Sequence, residues 1–406
     1  MKNILHITPH LGGGIGTVLL NWLTYDKSNR HSVITLDYAN QKGTDICKEN
    51  NIELFSQLPV NEIIPKIESA DISVIHFWNH PLLYDFLIRN NLPKSRIIFW
   101  SHISGAKPPY VFNTKLLDLC EKFVFTNQIS HKYMPKSSKL SCILSTGGTE
   151  RFENLKKEAH EGYFAGYIGT VDFAKMHPCY AETLAKTDAD KIFIVGGGKN
   201  ADNFKSFSPR FEVTGKIDDV GEILKKLDVF AYLLNPDHYG TGEQVLQEAM
   251  SAGVVPVVLN NPCEMSLVKH METGLIAENP DEYIEYINLL KKDIKLRETL
   301  SQKAKTFAQD NFSLKNLTAN WNRVFDEVIK LPKTEKYWNT DKKSLTSYDI
   351  FKESLGDFSD TFENKTEQEL KELLKQPNWA SDTKGTPKQY YEFLGGDELE
   401  KLCELY

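Results

Sequence analysis

The chain has 406 residues, 41% hydrophobic and 25% charged; this is the balance of a globular protein, not of a disordered, collagen-like or disulfide-stapled chain. Its formal net charge of −7 argues against a dedicated nucleic-acid binder. The charge is uneven, with 15 basic and 12 acidic side chains in residues 1–150 but 11 lysines and 16 acidic side chains from Lys333 to Tyr406. Six cysteines lie scattered without a CxxC pair, the pattern of free thiols in a reducing compartment. The opening apolar run meets His10 and glycines too soon for a signal peptide, and no run reaches the roughly 18 apolar residues of a membrane span. A cytoplasmic protein is expected, with the inner face of the membrane as a peripheral contact for its weakly basic first half.

In chain order, short apolar runs predict strands over 4–8, 32–36, 72–77, 96–101 and 122–126, with an amphipathic stretch near 17–25. Strands alternating with helices imply βαβ units and a parallel sheet. Gly147-Gly148 sits in a polar stretch, so a domain boundary is expected near 146–160. The pattern then restarts, with strands over 163–168, 191–195, 210–213, 228–233 and 254–259. A helix over 314–331 repeats Leu317, Trp321, Val324, Phe325 and Val328 at helical spacing. The prediction is two consecutive open α/β domains, 1–155 and 156–332, with an appended tail, 333–406. In the tail, Thr366 and Glu369 form a capping-box pattern at the start of a charged helix. Trp338, Tyr348, Phe351, Phe358, Phe362, Trp379, Tyr390, Tyr391 and Phe393 are too many aromatics for a linker. The tail is expected to be helical and to pack on the body, on a partner or on a second copy.

Several stretches carry candidate chemistry. Gly12-Gly13-Gly14-Ile15-Gly16-Thr17 follows a strand and opens a helix, where free N–H groups suit an anion. Gly12, Gly14 and Thr17 nearly meet the dinucleotide fingerprint, and Asp37 has the spacing of the acid that binds ribose in NAD enzymes. A dehydrogenase is therefore one reading. His102 lies at the carboxyl end of a buried strand, where α/β sheets bind ligands, and His76 and His80 sit similarly. In the second half, Lys175 lies six residues past Gly169 and could swing back to a phosphate. Thr241 as N-cap and Gln244 three later form a second capping-box pattern. The amides of Gly242, Glu243 and Gln244 would then face an anion, and Glu248, one turn in, could accept both hydroxyls of a ribose. Asp188-Ala189-Asp190 resembles a metal-binding DxD but precedes a strand, so no required metal is expected.

Lys175, the stretch 239–250, Ser251-Ala252-Gly253-Val254-Val255-Pro256-Val257-Val258 and Thr273-Gly274-Leu275-Ile276 together resemble glycosyltransferase family 4. Its members are retaining GT-B enzymes with nucleotide-sugar donors. The resemblance covers about residues 1–330 and is specific over 230–280. It implies two Rossmann-like domains facing across a cleft, an N-terminal one for the acceptor and a C-terminal one for the donor. It implies that Lys175 contacts the donor diphosphate, Glu248 binds the ribose, Gly14 and Gly16 lie near the diphosphate, and His102 lies near the donor sugar. Two positions depart from the pattern. Gly240 stands where the first glutamate of E-x7-E belongs, leaving Glu243 or Asp237 to take part of its role. Thr170 stands where an arginine is usual. The set implied is therefore His102, Lys175 and Glu243 as catalytic, with Gly14, Gly16, Thr170, Lys175, Gly242, Glu243, Gln244 and Glu248 binding the donor. The donor implied is a UDP-sugar, with a GDP-sugar as the alternative and no separate cofactor. The acceptor is a hydroxyl of a glycan, glycolipid or protein. A third reading, a non-catalytic sugar-nucleotide or partner-binding protein, rests on Gly240.

Overall fold

The structure, a computed structural model, describes residues 1–198, 204, 206–340, 342 and 344–406. The chain forms two compact units, Met1–Gly147 with Leu317–Tyr406, and Gly148–Asn316. These limits differ from the expected 1–155, 156–332 and 333–406. The tail shares the first unit, and the helix Leu314–Val328 carries the chain back to it.

The strands of the first unit are β1 (Asn3–Thr8), β2 (Arg30–Thr35), β3 (Glu53–Ser56), β4 (Ile72–Phe77), β5 (Leu92–Ser95), β6 (Ile97–Ser101), β7 (Lys122–Phe125) and β8 (Leu140–Cys142). Among the described residues, seven of them form a parallel sheet in the order β3-β2-β1-β4-β6-β7-β8. All residues of β4 and β6 are buried, as expected for parallel strands covered on both faces. The edges β3 and β8 contain no fully buried residue, so they leave little apolar signal in the sequence.

The second unit contains β9 (Phe164–Ile168), β10 (Lys191–Val195), β11 (Phe211–Gly215), β12 (Val229–Tyr232), β13 (Val255–Leu259) and β14 (Leu275–Ala277). They form a parallel sheet in the order β11-β10-β9-β12-β13-β14. Counted within the unit, this is the doubly wound order 3-2-1-4-5-6. Strand order reverses beside β1 in one sheet and beside β9 in the other, and the carboxyl ends there are where such sheets hold ligands.

The tail begins with β15 (Thr334–Lys336), antiparallel to β5. Lys336 Nζ is buried 2.9 Å from Glu121 Oε1. Trp338, Phe351, Trp379 and Tyr390 are all buried, and Phe351 lies 5.1 Å from Tyr390 and 5.5 Å from Phe362 between ring centres. Asn79 and Asn113 donate side-chain N–H bonds to the carbonyls of Ser354 and Glu353, and Tyr110 donates to the carbonyl of Asn378. Thr366 and Glu369 form the expected capping box. Apolar burial and satisfied polar contacts explain why the tail belongs to the first unit's core.

Candidate functional site

At the carboxyl edge of the second sheet, the loops after β9 and β10 touch backbone to backbone. Gly169 and Val171 donate N–H bonds to the carbonyls of Val195 and Gly197. A Cβ on Gly196, whose φ is +139°, would lie 1.8 Å from the carbonyl oxygen of Gly169, so only glycine fits. The run Gly196-Gly197-Gly198 was the available sequence signal for this approach. The β9 loop then folds back. Lys175 donates its N–H to the carbonyl of Asp172, and its own carbonyl accepts from Asn235 just beyond β12. Pinned on both sides, Lys175 has little freedom of backbone position.

Lys175 Nζ lies 3.0 Å from Glu243 Oε2; the Glu243 side chain is almost wholly buried and that of Lys175 is 15% exposed. The Tyr232 hydroxyl donates to the same carboxylate oxygen. His238 follows, with Nδ1 3.7 Å from Glu243 Oε1 and Nε2 2.9 Å from Glu264 Oε1. Burial opposes charge on Lys175, but Glu243 and Tyr239 outweigh it and hold its pKa above the ordinary lysine value. Burial likewise pushes Glu243 up, but Lys175 and His238 outweigh it and hold the carboxyl below its usual range. His238, desolvated yet faced by Glu264 and Glu243, is raised. Lys175, Glu243, His238 and Glu264 thus form one cluster, in which His238 Nδ1 accepts from the Gly240 N–H at 3.0 Å. Among the described residues, His238, Glu243 and Glu264 bring ligand atoms within 4.8 Å of one another, close enough for a cation; the Lys175 ammonium already pairs with Glu243 there.

The helix Gln244–Ser251 starts later than expected. Its N-cap is Glu243 in the left-handed region (φ 36°, ψ 56°), without a side-chain cap. The predicted Thr241–Gln244 capping box is therefore absent: Thr241 lies two residues before the cap, and its carbonyl accepts from Cys263 Sγ. The left-handed turn folds the Glu243 carboxylate back, and a Cβ on Gly240 would lie 1.8 Å from its Oε1. Glu243 thus fills the space in which a side chain at 240 would begin. Gly242 lies beside this turn, and its carbonyl accepts from Gln247 Nε2 at 2.6 Å.

Glu248 is buried, not solvated. Its Oε1 accepts from Arg151 at 3.0 Å and from Gln244 Nε2 at 2.9 Å. Burial raises its pKa beyond what Arg151 and Gln244 recover. Arg151, from the turn that opens this unit, was not legible as a site residue because no local pattern marks it. Thr170 is exposed, and its carbonyl accepts from the Tyr167 hydroxyl at 2.7 Å. Asp190 precedes β10 at the opposite sheet edge, where it accepts from the Tyr163 N–H and pairs with Lys291.

Gly14, Gly16 and His102 belong to the first unit. The helix Gly13–Tyr25 has Gly12 as N-cap, with no side-chain cap and no acid in its first turn. Gly14 faces open space, whereas a Cβ on Gly16 would meet the backbone of Leu11 at 3.0 Å. Gly16 is thus needed for strand–helix packing. Asp37, half-buried after β2, has its pKa raised by burial and by Glu392. His102 follows β6 and is half-buried, and its Nε2 lies 3.0 Å from His76 Nδ1.

Residues 150–307 match the family model described as glycosyl transferases group 1. The matched stretch lies within the second unit. A stretch of 109 residues is 29% identical to the GDP-Man:Man(3)GlcNAc(2)-PP-Dol alpha-1,2-mannosyltransferase of Dictyostelium discoideum, and the chain spans 21% of that protein's length. Over 80% of this chain and all of the other, the fold matches Anabaena Alr3699/HepE in complex with UDP-glucose, at a TM-score of 0.67 and 14% identity. A glycosyltransferase from Rickettsia africae matches over 81% of this chain and 99% of its own, at a TM-score of 0.65 and 14% identity. At this identity the likeness is one of fold, two Rossmann-like units. Among the described residues, no helix is long and apolar enough to cross a membrane.

Proposed function

We propose that this chain is a nucleotide-sugar-dependent glycosyltransferase of family 4, moving a sugar onto an acceptor hydroxyl with retention and without a metal. The observation that carries the reading is the Lys175–Glu243 pair at the carboxyl edge of the second sheet, with Glu248 on the helix that follows and Arg151 reaching it from the turn that opens the unit. When the anomeric C–O bond breaks, negative charge gathers on the departing diphosphate and positive charge on the sugar. A fixed ammonium in a water-poor setting stabilises the first, and a carboxylate beside it the second. Glu243, folded into the space beside Gly240, is our candidate for the first glutamate of E-x7-E. Glu248 is the candidate ribose acceptor, its remaining oxygen free of protein hydrogen bonds among the described residues. Gly242, Gln244 and the Thr170 loop complete the donor side, and Gly14, Gly16 and His102 are assigned from the first unit. A UDP-sugar is the favoured donor, supported by the UDP-glucose held by the Anabaena protein; a GDP-sugar is second, after the mannosyltransferase. The acceptor in this reading is a sugar, glycolipid or protein hydroxyl, and the place of action is the cytoplasm, with a membrane face for a lipid acceptor.

A thermal-shift panel of UDP, GDP, ADP and NAD, followed by donor-hydrolysis and transfer assays, tests this. UDP or GDP should stabilise the protein, and Lys175→Ala and Glu248→Ala should abolish transfer while each variant stays folded. Stabilisation by NAD alone would overturn the reading in favour of a dehydrogenase. Nucleotide binding without hydrolysis or transfer would leave a non-catalytic binder.

A further inference from the structure

Four histidines cross the first sheet on one face, one for each of four adjacent strands. His31 lies on β2, His6 on β1, His76 on β4, and His102 directly after β6. The register shows why they meet. His31 pairs with Ile4, and His6 is two residues further along; His6 pairs with Val74, and His76 is two further; His76 pairs with Trp100, and His102 is two further. A step of two keeps each side chain on the same face, so the four rings climb diagonally to the carboxyl edge.

Their ring nitrogens join end to end. Asp26 Oδ2 lies 3.1 Å from His31 Nε2, His31 Nδ1 lies 3.0 Å from His6 Nε2, His6 Nδ1 lies 3.1 Å from His76 Nε2, and His76 Nδ1 lies 3.0 Å from His102 Nε2. His6, His31 and His76 are buried, and both ring nitrogens of each are used. Trp22 packs edge-on to His6 and His31, and Trp100 lies against His76 and His102. Among the described residues, the His102 Nδ1 is left without a protein partner.

A neutral imidazole has one donor and one acceptor, so the state of one end sets the other. Asp26 also accepts from the Ser28 N–H, the Ser28 hydroxyl and Asn29 Nδ2, which fixes it as an ionised acceptor. His31 must therefore donate from Nε2 and accept at Nδ1. His6 then donates from Nε2, and so in turn do His76 and His102. The order reverses only beyond a ring that gains a second proton, or throughout if a donor replaces Asp26.

We propose that Asp26, acting through His31, His6 and His76, fixes His102 as a hydrogen-bond acceptor at Nδ1, so that this edge of the first sheet takes a ligand hydroxyl. The four inner groups are positioning residues, and His102 is the group that meets the ligand. A carbonyl or an ionised phosphate oxygen finds no donor at this atom, which selects a group that donates, such as the hydroxyl of a sugar or other polyol. The geometry lies wholly in the first unit and does not rest on the transferase reading.

The test is a long-range ¹H–¹⁵N correlation spectrum of the full chain carrying ring-labelled histidine, at neutral pH. The His102 signals are assigned by their loss in His102→Phe. In the wild type, His102, His6 and His76 should each carry the proton on Nε2. A protonated Nδ1 on His102, or mixed tautomers within the chain, would overturn the proposal whether or not any variant folds. Asp26→Leu removes the acceptor at His31 Nε2 and should leave the His102 proton shared between Nε2 and Nδ1, three rings away. A folded Asp26→Leu protein with the His102 proton still wholly on Nε2 would also overturn it. Neither measurement reads turnover, so failure of the transferase assay and failure here are distinguishable.

Discussion

At the residue scale, burial decides the electrostatics and neighbours decide its sign. Glu243 and Glu248 lie on one turn-and-helix segment and are both buried, yet their carboxyls shift in opposite directions. Glu243 has an ammonium at 3.0 Å; Glu248 has a half-exposed arginine and an amide. The pH consequence follows for Glu248. Its folded pKa lies above the ordinary 4.5, so the native state binds the proton more tightly than the unfolded chain. Stability from this group therefore falls as pH rises from the ordinary value through the folded one. Glu248→Gln removes that slope. The variant should be more stable than the wild type at pH 7, with the gap closing below the ordinary carboxylate range, as denaturant melts at several pH values will show. Its nucleotide affinity should fall in the same protein. The sequence marked Glu248 as a ribose acceptor but gave no sign of its burial or of Arg151, which comes from 97 residues upstream.

At the element scale, two βα loops of the second unit are held by glycine. Gly196→Ala meets both a positive φ and the Gly169 carbonyl oxygen, whereas Gly215→Ala, at φ +73°, meets open space. The second should cost about 1–2 kcal/mol for the left-handed backbone alone. The first should cost more, because the neighbouring loop must also move, and that loop carries Lys175. Paired denaturant melts and nucleotide titrations check this: Gly196→Ala should lose binding and Gly215→Ala should retain it. The strands were legible where both faces are covered, as in Ile72–Phe77 and Lys191–Val195, because a short, mostly apolar run needs no partner to be recognised. The edges Glu53–Ser56 and Leu140–Cys142 were missed because half-buried residues carry little such signal. The helix Gln244–Ser251 began three residues beyond its predicted cap because a left-handed glutamate is a backbone choice that composition does not announce.

At the scale of the whole molecule, the tail is part of a core and not an addition to it. Trp338, Phe351, Trp379 and Tyr390 are each at most 2% exposed within the first unit. Ending the chain after Pro332 should uncover their apolar partners, including Tyr84, 5.9 Å from Trp338 between ring centres. Sedimentation and ANS fluorescence should report aggregation and exposed apolar surface; a monomer with an unchanged melting temperature would contradict the packing described. The sequence by itself determined two α/β sheets, the candidate donor loops and the helical character of the tail. These are written in local periodicity and short motifs, which depend on neighbours a few residues apart. Only the tertiary structure decided where the tail packs, that Glu243 folds into the space beside Gly240, and that four histidines share hydrogen bonds. The first and last depend on chain return and strand register, which bring together residues tens to hundreds of positions apart, and the second on a left-handed backbone at Glu243; none leaves a local pattern.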